Sequence, residues 1–229
     1  MKVHTIGGYE EVGRNMTAVE VDGKAVIFDI GFEMEEVIAA DEDVSDMTTN
    51  QALDTGAIPR DAQLFDEDVN VVGIVIGHGH LDHVGAIPKL AGSYSAPIVC
   101  TPYTAEVVEM QIDDDRKNVS NEIVRVSKGE TFDFGQGFEL EFVDVNHSIP
   151  QTVLSILDTP DGKAVYGNDM KIDRNPVEEQ TTNIERLEEI GDEGVKTMIP
   201  GTTRVGEDGR TRSEQAVAVE LEDVLKSCY

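Results

Sequence analysis

Tryptophan is absent from this sequence and cysteine nearly so: Cys100 and Cys228 stand far apart, in no ligand-like spacing. That argues against a disulfide framework and makes a reduced cytoplasm the expected compartment. No apolar run approaches the ~18 residues of a membrane-spanning helix, and Met1-Lys2-Val3-His4-Thr5 opens directly into strand-like sequence, so the chain reads as soluble and unexported. Bases are scarce as well. Against 46 acids stand 18 Lys and Arg, and the resulting net charge of −28 is spread over all 229 residues. Such a surface repels nucleic acid in dilute buffer. With the missing tryptophan and an acid at nearly every turn, it reads as adaptation to molar salt of the haloarchaeal kind. At about 1 M salt the Debye length is roughly 3 Å and the repulsion is largely screened. The alternative is a protein that meets basic partners.

What the chain does have is a concentration of ligands. Of five histidines, three fall in His78-Gly79-His80-Leu81-Asp82-His83. The preceding Val71-Val72-Gly73-Ile74-Val75-Ile76 has the length and β-branching of a buried strand, so the hexapeptide occupies the loop at that strand's C-terminal end. Imidazole nitrogens and carboxylate oxygens suit zinc or a similar divalent ion. Without a cation these groups would repel when protonated and waste polar atoms when buried. Of the other two histidines, His4 reads as an ordinary surface or satisfied core residue. His147, in Asp144-Val145-Asn146-His147-Ser148-Ile149-Pro150, sits between a strand and a proline-fixed turn and is the better candidate. Asp169 follows another strand, and its carboxylate offers two oxygens that could bridge two ions.

Strands are expected at 3–6, 17–21 and 24–30, the last two joined by the hairpin signal Asp22-Gly23. Residues 33–68 read as an acidic, loop-like insertion decorating the sheet. A helix is expected at 84–91, a strand at 96–100 and a helix from Pro102 to about Ile112. The middle is strand-rich, at 122–126, 131–134, 138–145, 152–157 and 164–166, and the alternation of Phe138, Leu140 and Phe142 with Glu139 and Glu141 marks a sheet with one wet face. Helix, strand and helix follow at 184–190, 195–199 and 213–226, the last with Ser213 as N-cap and an apolar face of Val217, Leu221, Val224 and Leu225. The order suggests two sheets with helices outside.

Several segments, Gly7-Gly8-Tyr9-Glu10-Glu11-Val12-Gly13-Arg14-Asn15, Phe28-Asp29-Ile30-Gly31, His78 to Pro88, Thr101-Pro102-Tyr103-Thr104, Asn146 to Thr152 and Asn168 to Asp173, together resemble the metallo-β-lactamase superfamily. Its signature is the His-x-His-x-Asp-His loop. Within it the chain resembles the β-CASP nucleases, most of all the archaeal ribonuclease J group. The resemblance implies an α/β fold, a four-layer αββα sandwich, with a hydrolase domain over 1–200. Residues 201–229 would enter a β-CASP domain, leaving the fold incomplete at its C-terminal end. His78, His80 and His147 would hold one divalent ion, Asp82 and His83 a second, and Asp169 would bridge them. Asp82 and Asp169 would be the catalytic groups, and Asp29 would position a ligand from behind. The ions, zinc first and manganese as the alternative, would generate hydroxide from water for attack on an RNA phosphodiester. The implied partner is RNA, with no membrane and no small organic cofactor; an oligomer is left open.

The chain departs from that pattern at Gly201, where the group carries an acid, and at Arg212, where it carries proline; Glu214 is retained. The group's late histidines, one of which completes the second ion's shell, have no counterpart, so the second ion is expected to bind more weakly than the first. Two other functions compete: a stand-alone hydrolase of a small ester or thioester on the same fold, and an inactive truncated binding module.

Overall fold

A computed structural model describes residues 1–39, 44–115, 119–177 and 181–228. Among them a six-stranded sheet runs in chain order: β1 (Lys2–Gly7), β2 (Met16–Val21), β3 (Lys24–Phe28), β4 (Asn70–Ile76), β5 (Ile98–Cys100) and β6 (Ile123–Arg125). The first three pair antiparallel and the rest parallel. The second sheet has five strands, β7 (Thr131–Gly135), β8 (Phe138–Asp144), β9 (Val153–Asp158), β10 (Ala164–Gly167) and β11 (Thr197–Pro200). Here β7 to β10 form antiparallel neighbours and β11 joins β10 in parallel.

Period-two alternation builds the layers. Val19, Val26, Phe28, Val75 and Val99 of the first sheet meet Phe138, Leu140, Phe142, Leu157 and Tyr166 of the second, with Phe28 stacked on Tyr166 at 4.9 Å. The opposite residues of the first sheet, Ala25, Ile27, Ile74, Ile76 and Ile98, face helices, among them α6 (Pro102–Asp115). On the far side Val143, Leu154, Ile156 and Val165 of the second sheet pack on Ile190 of α7 (Ile184–Glu193). The expected αββα layering is therefore the observed one.

Three expectations need correction. The segment 33–68 is not a loop-like decoration. It folds as short helices, α1 (Met34–Ala39), α2 (Thr49–Thr55) and α3 (Ala62–Asp66), and sends Val44, Met47, Ala52, Ala57, Ile58 and Leu64 into the core. Its exposed acids hid a sparse apolar face, and the capping box of Thr48 with Gln51 shows that α2 is locally specified. Residues 40–43 of this segment lie outside the described residues. The helix expected at 84–91 is broken into α4 (Leu81–Val84) and α5 (Ile87–Leu90), because Pro88 has no N–H to continue the ladder. In α8 (Glu214–Ser227) Ser213 does cap the N-terminus, but Val217, Leu221, Val224 and Leu225 are all about half exposed and no residue of the helix is buried. The described helices include none long and apolar enough to cross a membrane.

Candidate metal centre

Strand ends deliver the candidate ligands. After β4 the chain passes through Gly77, His78 and Gly79 to an extended His80, then turns into α4, with the His83 and Val84 amides bonding back to the His80 carbonyl. The loop after β3 clamps this turn from one side: Ile30 N–H donates to His83 O at 2.8 Å and Phe32 N–H to Leu81 O at 3.0 Å. A Cβ on Gly31 would fall 1.6 Å from the Asp82 carbonyl oxygen, so only glycine permits this approach. On the other side Gly77 O accepts from Val153 N–H at 3.0 Å, tying the loop to β9. The loops after β8 and β10 meet through an Asn146–Lys171 bridge, which brings His147 and Asp169 over the hexapeptide.

Two groupings result. His80 Nδ1 lies 3.1 Å from both His78 Nε2 and His147 Nε2, and one ligand atom from each of these residues and Asp169 lies within 4.8 Å of all the others. Asp82, His83 and Asp169 form the second. His83 Nε2 is 3.4 Å from Asp82 Oδ2 and 4.0 Å from Asp169 Oδ2, and that same Asp169 oxygen is 3.7 Å from His147 Nε2. Asp169 therefore stands between the two groups. Behind them Asp29, fully buried, accepts from His83 Nδ1 at 2.7 Å and from Gly77 N–H at 3.2 Å.

Electrostatics separates the histidines. Burial, reinforced by the His83, His147 and His80 imidazoles, holds His78 well below the ordinary histidine value. Burial also lowers His147, with Asp169 opposing it. In His83 burial pushes the same way, but Asp29 and Asp82 outweigh it and raise the group to about 10. Burial tends to raise Asp82, yet the His83 hydrogen bond and charge leave it below the usual carboxylate range.

Residues 24–191 match the β-lactamase superfamily domain. The chain belongs to the β-lactamase superfamily. Among its superfamily relatives, the chain is 43% identical over 216 residues to a ribonuclease J of Methanocaldococcus jannaschii, covering 93% of this chain and 48% of that protein. It is 40% identical over 226 residues to a ribonuclease J of Pyrococcus abyssi, covering 97% and 50%. The chain thus spans about half the length of these relatives. A solved protein of unknown function from Enterococcus faecalis shares the fold at 16% identity, with a TM-score of 0.65 over 96% of this chain and 57% of that one.

The structure brings all the sequence-derived candidates of this superfamily member into one place: His78, His80, Asp82, His83, His147 and Asp169, with Asp29 behind. It adds neighbours that sequence reading had not singled out. Asn168, 4% exposed, places its amide 3.2 Å from His78 Nδ1, and Asn15 reaches His83 Nε2 at 3.2 Å. Their only signal was adjacency to Asp169 and membership of the Gly7 to Asn15 segment. His4 is the satisfied core histidine expected, with Nε2 2.6 Å from Glu20. Glu67 also lies close to this pair, but its carboxylate is bonded to the Lys2 ammonium, which already supplies the positive charge there.

Proposed function

We propose that this chain is a ribonuclease J-like, metal-dependent hydrolase of RNA phosphodiester bonds, acting in a salt-rich cytoplasm on two divalent ions, zinc first and manganese as the alternative. The observation that carries the reading is the Asp169 oxygen standing between two clusters of nitrogen and oxygen ligands. The donor set fits such ions. Tetrahedral zinc with bonds of about 2.05 Å sets its ligand atoms about 3.3 Å apart, close to the 3.1 Å separations of His80 from His78 and His147. Three imidazoles whose ring nitrogens converge this closely are disfavoured without a cation. Asn168 Oδ1 is buried without a partner, and with the amide turned over it would accept the Nδ1 proton of a His78 that ligates through Nε2.

On this reading His78, His80 and His147 would hold the first ion and Asp82 and His83 the second, with Asp169 available to either. Bound there, the ions would supply Lewis acidity to a phosphate oxygen and lower the pKa of bound water. The chain's own contribution is to fix the ligands on strand ends, with Asp29 holding the His83 tautomer. Two cavities of about 750 and 580 Å³ share Asn168, Asp169, Gly201, Thr202 and Thr203, so they adjoin at Asp169, with Tyr9 in the wall of one and Lys171 and Arg204 in the wall of the other. Open space of this extent on both sides of Asp169 suits a strand better than a small ester.

The test is incubation of end-labelled single-stranded RNA and, separately, a small thioester with the protein in molar KCl and Zn²⁺ or Mn²⁺. RNA cleavage that disappears with a chelator and in His78→Ala is the expected result. Turnover of the thioester with RNA left intact overturns the reading in favour of a small-ester hydrolase. Binding without turnover of either substrate overturns it in favour of a binding module.

A further inference from the structure

The two cavities that adjoin at Asp169 differ in what lines them. The smaller has the cations Lys171 and Arg204, whereas the residues lining the larger include neither lysine nor arginine and do include Glu10, Glu11 and Asp82. An anionic group is poorly placed in the larger cavity unless it reaches the metal ligands themselves. The wall suits a neutral, planar group instead. Among the described residues three aromatic side chains are exposed, Tyr9, Phe65 and Tyr103, and of these Tyr9 alone lines either cavity. Phe65 is already stacked on Tyr94 at 5.5 Å. Val12 and Met198, both well exposed, add apolar surface to the same wall as Tyr9.

Tyr9 is held in place. Its hydroxyl lies 2.8 Å from Oγ1 of Thr17 on β2, which is 2% exposed, so the phenol end is anchored while the residue stays 39% exposed. The loop that carries it is also fixed. Gly8 N–H donates to the Glu11 carboxylate at 3.0 Å, Arg14 donates to the same carboxylate at 2.5 Å, and Asn15 N–H donates to the Asp82 carbonyl at 3.2 Å. The last bond joins the loop to a candidate ligand residue. A ring positioned in advance loses little conformational entropy on binding.

We propose that the larger cavity is a nucleobase subsite of the metal centre, in which one base of a single-stranded RNA stacks on Tyr9 while an adjacent phosphate of the same strand reaches the metal ligands. The inference rests on the ribonuclease reading and names how that site holds its substrate. Stacking suits this chain because it needs no cation. In molar salt a Debye length of roughly 3 Å weakens ion pairs to phosphate, whereas contact between a base and an aromatic ring persists. Every base has a π-face, so the subsite tolerates any sequence.

Steady-state cleavage of single-stranded RNA in molar KCl with Zn²⁺ or Mn²⁺ tests it. Wild type, Tyr9→Phe and Tyr9→Leu are compared on an intact oligonucleotide and on a set in which a single abasic ribose is moved along the strand. The expected result is a KM about 5- to 150-fold higher in Tyr9→Leu, the loss of one stacked base, and a much smaller rise in Tyr9→Phe, which keeps the ring. One abasic position should reproduce the Tyr9→Leu loss in wild type and add nothing further in Tyr9→Leu; the wild-type half of that comparison leaves the protein unaltered. Equal KM in wild type and Tyr9→Leu overturns this inference alone, as does an abasic penalty that adds in full to that of Tyr9→Leu at every position. Absence of RNA cleavage by wild type overturns the ribonuclease reading with it, and a thioester KM that rises in Tyr9→Leu would then give the wall to an acyl group.

Discussion

At the residue scale the histidines of the centre differ in their protons, and that difference is measurable. His83, raised to about 10 by Asp29 and Asp82, carries two ring protons at pH 7 in the metal-free protein, whereas His78 is held neutral. A ligand nitrogen must give up its proton. Ion uptake at the Asp82, His83 and Asp169 position should therefore release close to one proton at pH 7, while His78, already neutral, should release none of its own. Calorimetry in buffers of different ionisation enthalpy reads the two steps, and equal proton release from both would contradict the assignment. The same shift has a stability consequence. A histidine raised from 6.5 to about 10 contributes stability that is complete below pH 6.5 and is lost as pH rises towards 10. Thermal melts of metal-free protein between pH 6.5 and 10 should show that loss, and Asp29→Asn should flatten it. The six first-line candidates were legible because a hexapeptide and two strand ends announce themselves in chemistry. Asn168 was not, since a buried amide reads like any other until its strand is placed beside the ligand it supports.

At the element scale the centre depends on close backbone approaches that side chains would forbid. Alanine at Gly31 would drive its Cβ into the Asp82 carbonyl at 1.6 Å, and at Gly77 into the Asn168 amide at 1.7 Å. Gly31→Ala should therefore cost at least about 1–3 kcal/mol, the usual cost of overpacking, and weaken ion binding at both positions. Gly92→Ala, where nothing lies within 4 Å, should change stability by no more than about 0.5 kcal/mol. Chemical denaturation of the two variants side by side checks the contrast; comparable effects would mean that the Gly31 contact is relieved elsewhere. Strands β4 and β8 could be read from the sequence because burial on two faces or one leaves a plain pattern. The α1 to α3 region could not, because its helices are short and each gives only a few apolar residues to the core. Its anchor is non-local: Lys89, buried on α5, donates to the carbonyls of Ser45 and Met47 and pairs with Asp115 at 2.5 Å.

At the scale of the whole molecule, charge opposes the proposed substrate. The chain carries −28, and RNA is a polyanion. For ordinary nucleic-acid binders affinity falls steeply with salt, because their cations release counterions from the phosphates. This chain has few cations to do that. Lys171 and Arg204, which line the smaller cavity, are already paired with Glu214 at 2.9 Å and with Glu207. Long-range repulsion should then dominate at low salt, and it fades as the Debye length contracts from about 10 Å at 0.1 M to roughly 3 Å at 1 M. Both folding stability and the apparent affinity for RNA should accordingly rise as KCl goes from 0.1 to 2 M, the opposite sign from a basic nuclease. Melting temperature and KM for single-stranded RNA, measured over one salt series with the divalent ion held constant, separate the contributions. A rising melting temperature with a rising KM would mean that local cations at the groove outweigh the global charge; a falling melting temperature with a rising KM would remove the case for a salt-adapted surface.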